Sequence, residues 1–247
     1  MTSKETQHER IIVSFTTIPS RLEYVQPVID AIRSQSLSPD AIELNIPREY
    51  RRRDFGQANA SVFPQHCDVV VCDVDYGPAT KILPTVQRYR GQEDVILVYC
   101  DDDRLYDRDW LKRMVELSRE YPNACIAEQG FNAVNRIAQI NANLGESPKP
   151  TIVERIKSLF SNRVMPAPID IAEGFGGVLV KPHFIDDSVF EIPDIFWTVD
   201  DIWLSGSLGV KGVPIYRTRK SRGATDDGGY RCGRGYGLSQ ARHHSGA

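Results

Sequence analysis

No CxxC pair occurs in this chain, and its five cysteines (67, 72, 100, 125 and 232) form an odd, scattered set. That spacing argues against a zinc finger or ribbon and gives a disulfide framework no basis. Reduced thiols in a cytosolic protein fit better. Strong charge of one sign is missing too. The 30 Lys and Arg stand against 33 Asp and Glu, a formal charge of −3, so no overall basic bias points to nucleic acid. No run approaches the roughly 20 apolar residues that span a bilayer, and the polar start, residues 1–10, lacks the apolar stretch of a signal peptide. The expectation is a cytoplasmic protein, with association at the inner face of a membrane or with a partner enzyme left open. Neither GxGxxG after the first apolar run nor GxxxxGK[ST] occurs, so the dinucleotide-binding and P-loop readings lose their main support.

What is present is organised around one stretch. Val95-Ile96-Leu97-Val98-Tyr99-Cys100 is an apolar run that ends in Asp101-Asp102-Asp103. Adjacent carboxylates raise each other's pKa and repel. A hard divalent cation resolves that conflict, and Asp supplies oxygen ligands on a short stem. The plainer alternative is that one Asp caps the following helix while the others face water.

Around this stretch the chain alternates. Apolar runs at residues 10–15, 41–46, 68–74, 95–100 and 124–127 read as strands. Leu22, Val25, Val28, Ile29 and Ile32 recur at helical spacing, with Ser20 as a cap; residues 82–89 and 109–121 also read as helices. Such alternation predicts a doubly wound α/β sheet, parallel in this half, with helices on both faces. Residues 137–150 read as a loop and 151–160 as a short helical segment. Glu173-Gly174-Phe175-Gly176-Gly177 is a glycine-rich turn entering a strand, where the backbone would approach a ligand closely. Residues 197–204 open another helix, with Thr198 as its candidate cap, and residues 214–217 form a last strand. With 41% hydrophobic content the chain can bury one substantial core.

Five features in this order resemble a GT-A glycosyltransferase of the family 2 type: the first strand followed by TTIPSR, the DYGPATK turn, the strand ending in DDD, the EGFGG turn, and the TVDDIW helix start. The resemblance covers roughly residues 10 to 210. It implies a Rossmann-like, mixed, doubly wound sheet in a single domain with a mobile C-terminal tail. The divisions it implies are a disordered start (1–9), a donor-binding half (10–130), an insertion (131–170), an acceptor and catalytic half (171–216), and a flexible basic tail (217–247) able to fold over the donor as a lid.

The implied activity is transfer of a sugar from a nucleoside diphosphate, UDP by family frequency, to a glycan hydroxyl in surface polysaccharide synthesis, with inversion and with Mn²⁺ or Mg²⁺ as cofactor. By the same resemblance, Asp103 ligates the metal, and Asp101 and Asp102 lie near the nucleotide. Thr17, Arg21, Asp75 and Lys81 complete the donor site. Asp201 is the preferred base and Asp200 the second choice. Gly176 and Gly177 line the sugar cleft, Trp197 and Trp203 stack on sugars or pack in the core, and His243 and His244 add to the metal or belong to an unstructured end. Two other readings use the same residues: a nucleotidyltransferase or metal-dependent phosphohydrolase, and a non-catalytic module that binds polyanions. TTIPSR is not the Gly-rich basic loop of the former, and the near-neutral charge disfavours the latter.

Overall fold

A computed structural model describes residues 9–143 and 166–218. Ten strands are present in these: β1 (Arg10–Thr16), β2 (Ala41–Pro47), β3 (Asp68–Cys72), β4 (Val95–Tyr99), β5 (Cys125–Ala127), β6 (Gly130–Phe131), β7 (Ala167–Ile169), β8 (Ile171–Ala172), β9 (Val178–Val180) and β10 (Ile215–Arg217). The α-helices are α1 (Gln26–Arg33), α2 (Leu83–Arg88), α3 (Trp110–Glu120), α4 (Ala133–Asn143) and α5 (Asp200–Val210). Eight strands make one sheet in the order β3-β2-β1-β4-β9-β5-β10-β7; β6 and β8 pair separately.

The alternation of side chains explains the two layers of core. Ile11, Val13 and Phe15 of β1, with Ile96, Val98 and Cys100, face Val28, Ile29 and Ile32 of α1 and Trp110, Leu111, Met114 and Val115 of α3. Ile12, Val95, Leu97 and Tyr99 face the other way, onto Leu83 and Val86 of α2 and Leu204 and Leu208 of α5. A strand covered on both faces needs a continuous apolar run, and β4 is buried throughout.

Pairing in the first half is parallel: β1 runs beside β2, β4 beside β1 and β3 beside β2. The second half is mixed. β9 lies antiparallel between β4 and β5, with Tyr99 opposite Val178 and Ala127 opposite Val178. That orientation brings the start of β9, and the glycine turn before it, to the carboxyl end of β4.

Some local expectations are corrected. Ser20 caps nothing: it sits inside a 3-10 turn, Pro19–Tyr24, and α1 starts at Gln26. Thr198 does not cap α5, whose first flanking residue is Val199 and whose start carries no side-chain cap. No Asp of the triplet caps α3, which begins only at Trp110. The expected loop at 137–150 is helical through Asn143. The segment 151–160, most of the C-terminal tail, and His243 and His244 lie outside the described residues. No helix among the described residues is long and apolar enough to cross a membrane.

Candidate functional site

Register builds the first part of the site. β1 and β4 are parallel with Ser14 opposite Tyr99, so Thr17 and Asp102, each three residues further on, leave the sheet side by side. Thr17 Oγ1 donates to Asp102 Oδ2 at 2.5 Å. Arg21, in the turn that Pro19 opens, reaches the same edge, with its guanidinium 2.9 Å from Asp102 Oδ1 and 3.5 Å from Asp103 Oδ2. Burial pushes the Asp102 carboxyl up to about 6; Arg21 and Thr17 pull the other way and do not cancel it.

The second part comes from the DYGPATK turn. Asp75 spends both oxygens on backbone, accepting from Gly77 N–H at 2.8 Å and Arg51 N–H at 2.7 Å. Gly77 has φ +60°, and a Cβ there would meet Trp197 O at 2.8 Å, so only glycine fits. Ser14 Oγ donates to Lys81 O at 2.5 Å and fixes the last residue of the turn. Lys81 then points its side chain inward. Its Nζ donates to Asp101 Oδ1 at 2.8 Å. It also lies 3.0 Å from Asp200 Oδ2 and 4.0 Å from Asp201 Oδ1. Asp200 Oδ2 is buried and takes no hydrogen bond of ordinary geometry, so its contact with Lys81 is one of charge without alignment. Burial alone would lower the Lys81 pKa; Asp200, Asp101 and Asp201 more than offset it, and the ammonium is held charged.

The third part is the start of α5 under the glycine turn. Gly174 N–H donates to Asp201 Oδ1 at 2.9 Å. Asp201 keeps 31% of its side-chain surface, whereas Asp200 keeps 9%. Burial raises the Asp201 carboxyl to about 6; Lys81 and the Gly174 N–H oppose that rise, while Asp200 and Asp101 add to it.

Sequence reasoning missed two residues here. Tyr106 OH accepts from Asp101 N–H at 3.2 Å and lies 3.1 Å from Asp101 O and 3.3 Å from Phe175 O, tying the triplet to the glycine turn. Only the placement of β9 reveals that role. The other is Gly174. A Cβ there would sit 2.5 Å from Lys81 Nζ and 3.0 Å from Asp201 Oδ1. Gly174→Ala is therefore expected to push the ammonium off its acids, at about 1–3 kcal/mol, the range for overpacking a filled site. The check is a lower urea midpoint, with Gly206→Ala as control. Gly206 sits in α5 with open space around it, and alanine there is expected to raise the midpoint slightly.

The remaining predicted residues are placed differently. Gly176 and Gly177 face Trp110 and Gln129: Gly176 O accepts from Trp110 Nε1 at 2.7 Å, and a Cβ on Gly177 would be 2.4 Å from the Trp110 ring. Trp197 packs on Gly77 and under the Arg51 guanidinium, 4.5 Å from its ring centroid. Trp203 donates Nε1–H to Val189 O at 2.8 Å and stacks on Phe196. Two residues beyond Asp201 on a helix is nearly the opposite face. Two open surface hollows of about 460 Å³ lie along α1 and at residues 38–42 and 66–68, apart from the acids; the convergent charges, not these hollows, mark the site.

Could these acids seat a cation? The triplet fans out, Asp101 to Lys81 and Asp102 and Asp103 to Arg21, and among the described residues no group of three or more His, Cys, Asp or Glu is arranged to hold a metal. A hard divalent ion shared with a diphosphate needs only one or two protein carboxylates. Among the described residues, Asp101, Asp102, Asp103, Asp200 and Asp201 pair with two bases, Lys81 and Arg21, and that surplus of negative charge fits such an ion.

No protein-family model matches the chain, and no curated protein matches it in sequence. Solved structures do. A crystal structure of S. aureus TarS matches over 86% of this chain and 35% of its own, at 8% identity and TM-score 0.50. The fold is of the GT-A type. TarS 1–349 (10% identity, TM-score 0.49) and its complex with UDP (11%, 0.47) each match over 86% of this chain and 58% of theirs. The chain thus spans 35% to 58% of the length of these structures.

Proposed function

We propose that this protein is a glycosyltransferase that moves a sugar from a nucleoside diphosphate, UDP first among candidates, onto a glycan hydroxyl with inversion. One observation carries the reading. A partly exposed carboxylate, Asp201, is held by a backbone N–H within one lysine of the strand-end acids. A fold alone does not give a function; this juxtaposition supplies the chemistry.

The roles follow from the groups present. Asp201 takes the proton of the acceptor hydroxyl as that oxygen attacks the anomeric carbon, and a pKa near 6 leaves it ionised at neutral pH. Thr17, Arg21, Asp101 and Asp102 form the donor edge, with Arg21 holding the triplet carboxylates in place. Mn²⁺ or Mg²⁺ on Asp103, when bound, would supply neutralisation of the charge that develops on the departing diphosphate. The acceptor belongs to surface polysaccharide synthesis in this reading.

The test is a thermal-shift panel of nucleoside diphosphates with and without Mn²⁺, followed by turnover with the matching sugar nucleotides. Ligand at one hundred times its Kd stabilises by about 2.7 kcal/mol, so UDP with Mn²⁺ is expected to raise the melting temperature by several degrees. If no nucleoside diphosphate shifts the transition and none of their sugars is transferred, the reading is wrong.

A further inference from the structure

We propose that Lys81 is a positioning residue: it holds Asp201 as the carboxylate that receives the acceptor proton, and it is not itself a ligand of the donor. This rests on the reading of Asp201 as the base. Geometry carries it. The Lys81 side chain is 5% exposed, with one hydrogen bond to Asp101 and charge contacts to Asp200 and Asp201. The Tyr99 ring lies on one side, 5.8 Å from Nζ. Gly174 closes another so tightly that a methyl group would sit 2.5 Å from Nζ. An ammonium has three N–H donors and no acceptor. Three acids already surround this one, so a diphosphate oxygen would reach it only by displacing them.

Lys81 acts on Asp201 through charge, because 4.0 Å is beyond a hydrogen bond. Asp201 Oδ1 takes the Gly174 N–H, and Oδ2 has no protein partner among the described residues. That oxygen is the one available to a hydroxyl. The groups facing Asp201 are Lys81 from the DYGPATK turn, Asp200 on its own helix, Asp101 and Tyr99 from the β4 side, and the Gly174 N–H. Burial is the main reason this carboxyl binds its proton more tightly than usual; of the charges around it, one base weakens that hold and two acids strengthen it, a surround of net charge −1 by count. Removing the lysine makes the surround more negative. Removing Asp200 makes it neutral.

Those two changes give opposite signs, which a merely structural role would not. Lys81→Met is expected to move the acidic limb of the pH profile of turnover upward by roughly one to three units, and Asp200→Asn to move it downward. Lys81→Met/Asp200→Asn restores the original balance, so its limb is expected to return to the wild-type position. The same order is expected in the carboxyl-carbon NMR titration of Asp201, assigned by its absence in Asp201→Asn. The UDP-induced rise in melting temperature is expected to survive in the double variant.

Limbs that do not move, or a Lys81→Met protein that loses UDP-induced stabilisation with its limb in place, overturn the proposal. So does loss of all turnover in Asp200→Asn, which would make Asp200 the base. Should Lys81→Met alone fail to fold because Asp200 is left buried without its cation, Asp200→Asn and the double variant decide. A wild-type protein that transfers no sugar sinks the functional reading; the carbon titration still reports whether Lys81 governs Asp201.

Discussion

Asp201→Asn is expected to lower turnover by roughly 10²–10⁴-fold, the range for removing a positioned general base. Asparagine keeps the shape and can still accept the Gly174 N–H, so the loss falls on proton transfer. Stabilisation by UDP is expected to persist, because the proposed donor edge of Thr17, Arg21 and Asp102 is untouched. Initial rates at saturating donor and acceptor are the measurement. Turnover within a few-fold of wild type would remove Asp201 from the role. A fall seen only at low acceptor concentration would make it a binding group instead.

The largest effect on stability is expected at Gly177. Its φ of +94° lies in a region that side chains rarely adopt, which costs on the order of 1–3 kcal/mol for a non-glycine residue. A Cβ there also meets the ring of Trp110, itself 1% exposed and tied to Gly176 O. Overpacking adds about 1–3 kcal/mol. Gly177→Ala is thus expected to lose about 2–6 kcal/mol by these two costs, a large share of the 5–15 kcal/mol typical of a domain. Urea unfolding followed by tryptophan fluorescence reads it. A variant with an unchanged midpoint but weakened donor or acceptor binding would restore this glycine to the ligand cleft.

That contrast shows what a sequence can reveal. A run such as EGFGG announces that a backbone must come close to something, and the pattern cannot say to what. Here the partner is Lys81 for Gly174, Gln129 for Gly176 and Trp110 for Gly177. The long β1 and β4 runs and the helices at 26–33, 83–88 and 110–120 were legible because apolar periodicity is a local property. The acids were legible because carboxylates at a strand end are chemically unusual. The position of β9 was not, since three residues carry no period, and neither was the close approach of Gly174 to Lys81 in the turn that leads into it. The helix caps assigned to Ser20 and Thr198 failed because a 3-10 turn takes up residues 19–24 ahead of α1 and because α5 starts one residue later than a Thr198 cap requires.

The insertion of β9 between two strands made much earlier also bears on how the molecule assembles on the ribosome. Until Val178–Val180 emerges, β4 and β5 each present an unpaired backbone edge, the kind of edge that other chains can join. A nascent chain of this topology is open to self-association between the making of β4 and the arrival of β9; Val178–Val180 then covers β4 and one edge of β5, and β10 later covers the other.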